Sequence, residues 1–228
     1  IAFTEETVQT LFQEQVRAVV NQNLHGISDW PDLLIVTVEG FLPAANRLAE
    51  HRRSQGLIVQ VVTQEQVFNE FSGGVADMRA VRDYAKFLYD RTNDPDRMLD
   101  YLLLFGDGHY DFRGLSGFQN PLSNHIFPYE TAESAATAAS YTSDDYFGLL
   151  DDNEGEWVFT SIFNGTFERL DIGVGRLPLQ TVAESDIMVD KLIAYDDPAT
   201  FGSWRTTYTA IADDGPTGLA ATQNDADL

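Results

Sequence analysis

The residues of this chain with chemical potential gather where apolar runs end. Gly106-Asp107-Gly108-His109 directly follows the run Tyr101–Phe105. The glycines permit a tight turn, and that turn presents Asp107 over the end of a buried strand. Neither a Walker pattern nor a GxGxxG follows, so phosphate binding does not account for the glycines. The alternative is that Asp107 closes a turn through bonds from its side chain to the backbone. Asp213 in Asp213-Asp214-Gly215 ends a later run in the same way. A catalytic histidine needs an orienting partner and a nucleophile. His109 and His125 have Ser140 and Ser143 near them in sequence, but no GxSxG elbow exposes a serine. The chain has no cysteine, which excludes disulfides, thiolate metal sites and a cysteine nucleophile within these residues. Asp144-Asp145 and Asp151-Asp152-Asn153-Glu154 concentrate oxygen ligands suited to Ca²⁺, with Asp144, Asp145, Asp151 and Asn153 as candidates. The second cluster lacks the closing Glu of an EF-hand loop, Ile162 standing there, and reads better as a plain hairpin turn. Asn164-Gly165-Thr166 matches a glycosylation sequon and reads better as a turn.

The elements that would position these groups follow from periodicity. Apolar residues at helical spacing from Thr4 to Asn23 predict an amphipathic helix, broken by His25-Gly26. Leu33–Val38, Leu57–Val62 and Tyr101–Phe105 read as buried strands, separated by helices over Leu42–Gln55, Thr63–Phe71 and from Asp77 past Leu88. Gly56 suits a C′ position, and Thr63 with Gln66 forms a capping box. Strands alternating with helices specify a parallel sheet, with functional groups at the carboxyl ends of its strands. Beyond an irregular stretch around 114–140, strands are expected at Tyr146–Leu150, Glu156–Phe163, Leu170–Val174 and Tyr208–Ala212, with a helix from Thr181 to Tyr195. The expected division is a leading segment 1–28, a first α/β subdomain 29–113, and a connector with the front of a second subdomain over 114–228.

Lys+Arg number 14 against 36 Asp+Glu, a net charge of -22, which disfavours nucleic acid and anionic membranes as partners. A salt-rich habitat and an ordinary acidic secreted protein are both consistent with this charge. No apolar run reaches the roughly 18 residues of a membrane span. The first residues do not have the pattern of a signal peptide, and a targeting segment is expected, if at all, outside this sequence.

Five blocks, "NEFSGGVADMRAVRDYAKFLYDR", "YLLLFGDGHYDFRG", "SYTSDDYFGLLDDNEG", "LDIGVGRLPLQTVAESDIMVDKLIAYDD" and "WRTTYTAIADDG", resemble in their order the front half of a gingipain-type cysteine peptidase domain, nearest the sortases of type IX secretion. The resemblance implies a caspase-like α/β fold, a parallel-sheet three-layer sandwich of two adjacent subdomains. It also implies a Cys–His dyad, the His in a Gly-His-Gly block and the Cys after a later strand. Neither block occurs here, so the chain is expected to stop before the dyad and to be inactive alone. By the same resemblance, Asp171 takes the position of an acid that orients the catalytic His. The alternative is a structural pairing of Asp171 with Arg176 or Arg169. The family likeness further implies bound calcium, protein substrates carrying C-terminal secretion signals, other type IX components as partners, and an outer-membrane-associated or secreted location. The competing expectation is a non-catalytic, calcium-stabilised scaffold or binding module.

Overall fold

The computed structural model describes residues 18–91, 94, 98–109, 111, 125–130, 142–152, 154 and 169–209. Four strands form one parallel sheet: β1 (Leu33–Thr37), β2 (Val59–Thr63), β3 (Tyr101–Phe105) and β4 (Gly173–Leu177), in spatial order β2-β1-β3-β4. Its helices are α1 (Leu42–Ser54), α2 (Gln64–Phe71), α3 (Arg79–Tyr89) and α4 (Val182–Asp196). The fold is therefore α/β. All five residues of β1 are buried, as its unbroken Leu-Leu-Ile-Val-Thr run requires of a strand covered on both faces. The register places Leu33, Val59, Tyr101 and Gly173 level at one edge, and Thr37, Thr63, Phe105 and Leu177 level at the other. All carboxyl ends thus share one edge.

The path of the chain selects where on that edge a site can form. From β1 it moves to β2 on one side, then crosses to β3 on the other side of β1 and on to β4. Connections leaving β1 and β3 diverge in this order, which opens a crevice outside the strand ends. Thr37 Oγ1 donates to Phe105 O at 3.0 Å and ties these two strands together at that edge.

Several expectations hold in detail. Thr63 Oγ1 accepts from Gln66 N–H, and the Gln66 side chain accepts from Thr63 N–H, completing the capping box of α2. Gly56 follows α1 with φ +102°, a backbone that favours glycine. Others change. Residues 18–23 are not helical, and a short 3₁₀ turn at Leu24–Gly26 stands where the leading helix was expected to end. β2 begins two residues later than expected. β4 begins three residues later, so Asp171 precedes the strand. The expected strand at Tyr146–Leu150 is instead a 3₁₀ turn, Asp145–Gly148, followed by non-repeating chain. Tyr146 there stacks on Tyr129 with ring centroids 4.0 Å apart, and a Cβ on Gly148 would meet Val174 Cγ2 at 2.7 Å. A short apolar run is burial without a stated geometry, and here the burial is of a turn. Tyr208 lies in non-repeating chain; residues 210–212, the expected strand at Glu156–Phe163, the Asn164 turn and Asp213 lie outside the described residues. So does the expected subdomain boundary at Gly114; strands from before and after it share the sheet.

The chain separates into two compact units, 1–189 and 190–228. In the second, the Arg205 guanidinium lies 4.0 Å from the ring centres of both Tyr195 and Phe201 and 5.0 Å from that of Trp204. Among the described residues no helix is long and apolar enough to cross a membrane.

Ile35 sits at the middle of β1 with no solvent exposure. Its replacement by Ala is expected to cost about 2–5 kcal/mol, the range for truncating a fully buried aliphatic side chain, read as a lowered urea midpoint at unchanged m-value.

Candidate functional site

Just past β3 the chain is held on both sides. Gly106 N–H and Asp107 N–H donate to Leu177 O and Leu179 O, and Ile126 N–H donates to Asp107 O at 2.8 Å. A bridge between Asp107 and His125 extends the sheet by one pair of residues. Segment 125–127 is fixed from below by Gln64, the first residue of α2. Its amide donates to His125 O at 2.6 Å and accepts from Phe127 N–H at 3.3 Å.

Arg176 on β4 joins these pieces. Its Nη1 donates to Gly106 O and to Ile126 O, both at 3.0 Å, while Nε and Nη2 form a fork on the two oxygens of Asp144, each at 2.8 Å. The side chains are 13% and 30% exposed, so the pair is largely removed from water and the fork is geometrically demanding. Around it opens a cleft of about 390 Å³ lined by Asp107, Gly108, His109, Pro128, Thr142, Ser143, Asp144 and Arg176.

Asp107 lines this cleft with both oxygens committed. Oδ1 accepts from Gly108 N–H at 2.8 Å, the expected turn closure, and Oδ2 accepts from Gln180 Nε2 at 2.7 Å. His109 Nδ1 accepts from Asp111 N–H at 3.0 Å, which places a neutral ring's proton on Nε2. The rings of His109 and His125 are 5.7 Å apart, and His125 is buried. Ser143 Oγ accepts from Asp145 N–H at 3.3 Å, where the 3₁₀ turn begins. Glu130, paired with Thr142 in a two-residue antiparallel bridge, has a buried Oε1 with no hydrogen-bond partner. Burial raises its carboxyl above the ordinary value, opposed by the charge of His109. Nothing in the sequence marks Glu130, because it falls in an irregular stretch where no periodicity assigns a direction to a side chain.

Asp171 stands elsewhere. It lies two residues before β4, at the amino edge of the sheet, and its Oδ2 accepts from Leu150 N–H at 2.7 Å. Five residues of strand, about 17 Å, separate that edge from the cleft. Its hydrogen bond goes to the backbone, and Arg176 is engaged with Asp144.

Among the described residues the acidic loops bring no cluster of carboxylates together. Both oxygens of Asp144 face a guanidinium. Asp145 and Asp151 are exposed, and Asn153 lies outside the described residues. Two cations of α3 already occupy the carbonyls of this loop. Arg82 Nε donates to Leu149 O at 2.7 Å, and Lys86 Nζ donates to Leu150 O at 2.6 Å while pairing with Asp90 and Asp152. Among the described residues no three His, Cys, Asp or Glu side chains converge as a metal site would require.

The family model described as "Peptidase family C25" matches residues 28–227. Among solved structures, the chain is similar to dimeric latent PorU from Porphyromonas gingivalis, at 40% identity and a TM-score of 0.67, over 87% of this chain and 18% of that one. A complex of the pro- and mature domains of RgpB from the same organism matches at 14% identity and a TM-score of 0.46, over 73% of this chain and 29% of that one. This chain therefore spans less than a fifth of the PorU chain it resembles. A search of curated protein sequences finds no significant match.

Two measurements probe the geometry. Arg176→Lys keeps the charge but not the fork, and is expected to lower stability by about 1–3 kcal/mol. Asp144→Asn should then cost clearly less in the Arg176→Lys background than in the parent, as a double-mutant cycle would read. Because its carboxyl is raised, Glu130 contributes stability that is complete below the ordinary carboxyl pKa and is lost as pH rises through its folded value. Glu130→Gln should therefore be more stable than the parent at neutral pH, the difference closing as pH falls below the ordinary carboxyl range.

Proposed function

The chain belongs to peptidase family C25, and from that premise we propose that it forms the front part of a cysteine endopeptidase whose Cys–His dyad follows Leu228. The observation that carries this reading is the family match across residues 28–227 in a chain that has no cysteine of its own, over a fold whose strand ends open into a polar cleft. In the reaction so assigned, a thiolate adds to the peptide carbonyl and a C–S bond forms. The C–N bond then breaks as the imidazolium gives its proton to the departing amine. Water or an incoming amine attacks the thioester, its proton passes to the imidazole, and the thiolate is regenerated. No metal or organic cofactor is needed for these steps.

In this reading the present residues supply the sheet, one wall of the cleft and the acid that orients the imidazole. Such an acid must lie within hydrogen-bond reach of the ring. At the carboxyl edge, Asp144 is forked to Arg176 and Asp107 is bonded through both oxygens, whereas Glu130 keeps an unpaired buried oxygen. We assign the orienting role to Glu130. Asp171 keeps a positioning role, holding Leu150 and the turn that carries Asp144. The resemblance of the sequence blocks to type IX sortases extends the reading to its cargo: secreted proteins with C-terminal signals, processed at the outer-membrane-associated surface in company with other type IX components.

A thiol-reactive acyl probe on the full-length protein tests this. Labelling of a single cysteine is expected, abolished by Cys→Ala and slowed at least about tenfold by substitution of the catalytic His. Glu130→Gln should slow labelling and shift its pH profile, while Asp171→Asn should leave that profile in place. A folded full-length protein that takes no label would be the non-catalytic scaffold instead.

A further inference from the structure

Ahead of β1 the chain is fastened to the body of the fold at one turn. Asn23 takes a left-handed backbone, φ 53° and ψ 41°, which asparagine tolerates better than most residues, and the turn Leu24–Gly26 follows. Leu24 is buried. The His25 ring lies nearly flat on Phe71, the last residue of α2, with centroids 4.3 Å apart and planes 14° apart. Phe87 of α3 meets the same ring edge-on at 5.3 Å. Glu70 receives the turn: its Oε2 accepts from His25 N–H at 3.3 Å and lies 3.0 Å from His25 Nδ1. The carboxylate also accepts from the backbone N–H of Leu24. Its Oε1 is buried and meets no hydrogen-bond partner among the described residues.

Packing of Leu24 and a stacked ring would hold the turn equally at every pH. A carboxylate that gathers three donors makes the contact conditional on its charge. Burial pushes the Glu70 carboxyl up, but the donations from Leu24 and His25 and the charge of His25 outweigh it and hold the group below its ordinary value. Docking therefore gains stability above the ordinary carboxyl pKa and loses it as pH falls through the lowered value. From α3, Tyr84 also faces Glu70, with Arg91 acting on Tyr84 from beyond the helix end, while β2 brings the uncharged Gln60. We propose that His25 and Glu70 form an acid-released latch, which fastens the chain entering the domain to α2 and α3 and frees it when the carboxylate is protonated. The same two helices brace the cleft: Gln64 of α2 holds segment 125–127, and Arg82 and Lys86 of α3 hold Leu149 and Leu150.

Hydrogen exchange on the full-length protein reads the latch directly, because the amides of Leu24 and His25 are themselves donors to Glu70. The strand Leu33–Thr37 serves as the internal reference for global unfolding. In the parent, protection of Leu24 and His25 should persist down to the ordinary carboxyl range and fall below it, while the strand stays protected. His25→Phe keeps a ring on Phe71 and removes the ring donor, so the loss of protection should move to higher pH. Glu70→Gln should lower protection at neutral pH by at least about tenfold and abolish its dependence on acid. The latch is overturned if Glu70→Gln keeps the parental protection and pH profile. It is equally overturned if the His25→Phe profile coincides with the parent's, or if the turn opens in acid only together with the strand.

Discussion

The carboxyl edge of this sheet depends on one guanidinium. A parallel sheet ends in carbonyls that have no further strand to bond, and buried carbonyls left unpaired are costly. Arg176 takes one carbonyl from the end of β3 and one from segment 125–130. It also takes both oxygens of a carboxylate from the turn after Ser143. These three stretches are far apart in sequence and share few backbone bonds. A planar fork with five N–H groups satisfies them together, which an ammonium could not do in the same geometry.

The turn that carries Asp144 is secured from its other end as well. Asp171 accepts from Leu150 N–H, and its own N–H donates to Gly148 O. From α3, Arg82 and Lys86 donate to the carbonyls of Leu149 and Leu150. The result is an irregular segment whose backbone groups are met by side chains instead of by a ladder. A loop held in this way can present a side chain as rigidly as a strand does, which suits the wall of a site.

The same economy runs through the molecule. The chain has 14 cationic side chains against 36 acidic ones, and ion pairing alone would not use them to best effect, since exposed pairs are weak. Arg53, Arg82, Lys86 and Arg176 each donate to backbone carbonyls, and within the second unit Arg205 donates to Tyr195 O. In a strongly acidic protein cations placed on carbonyls do two things at once: they satisfy buried acceptors and bring positive charge into the body of the fold. The acids are then left to the surface and to a few turns, where Asp107 and Asp171 act through backbone N–H groups.

By itself the sequence determined the architecture of the first half. Continuous apolar runs of five or six residues, a glycine past α1 and a Thr-Gln pair before α2 are local signals, and they place β1 to β3 and the first three helices to within two residues at most boundaries. The resemblance of its blocks located the family. Tertiary structure alone decided the rest. The run at Tyr146–Leu150 carries the same apolar signal as a strand, yet stacking of Tyr146 on Tyr129 and the absence of room beside Gly148 make it a turn. Asp171 falls at the far edge because β4 begins after it, a shift that pairing with β3 fixes and composition does not. Gln64 matters through a carbonyl 61 residues away, and Glu130 through its burial and the charge of His109. Periodicity records which residues avoid water, a property of each position and its neighbours. Which polar atoms finally meet is set by register and by contacts between distant segments, and those exist only once the chain has folded.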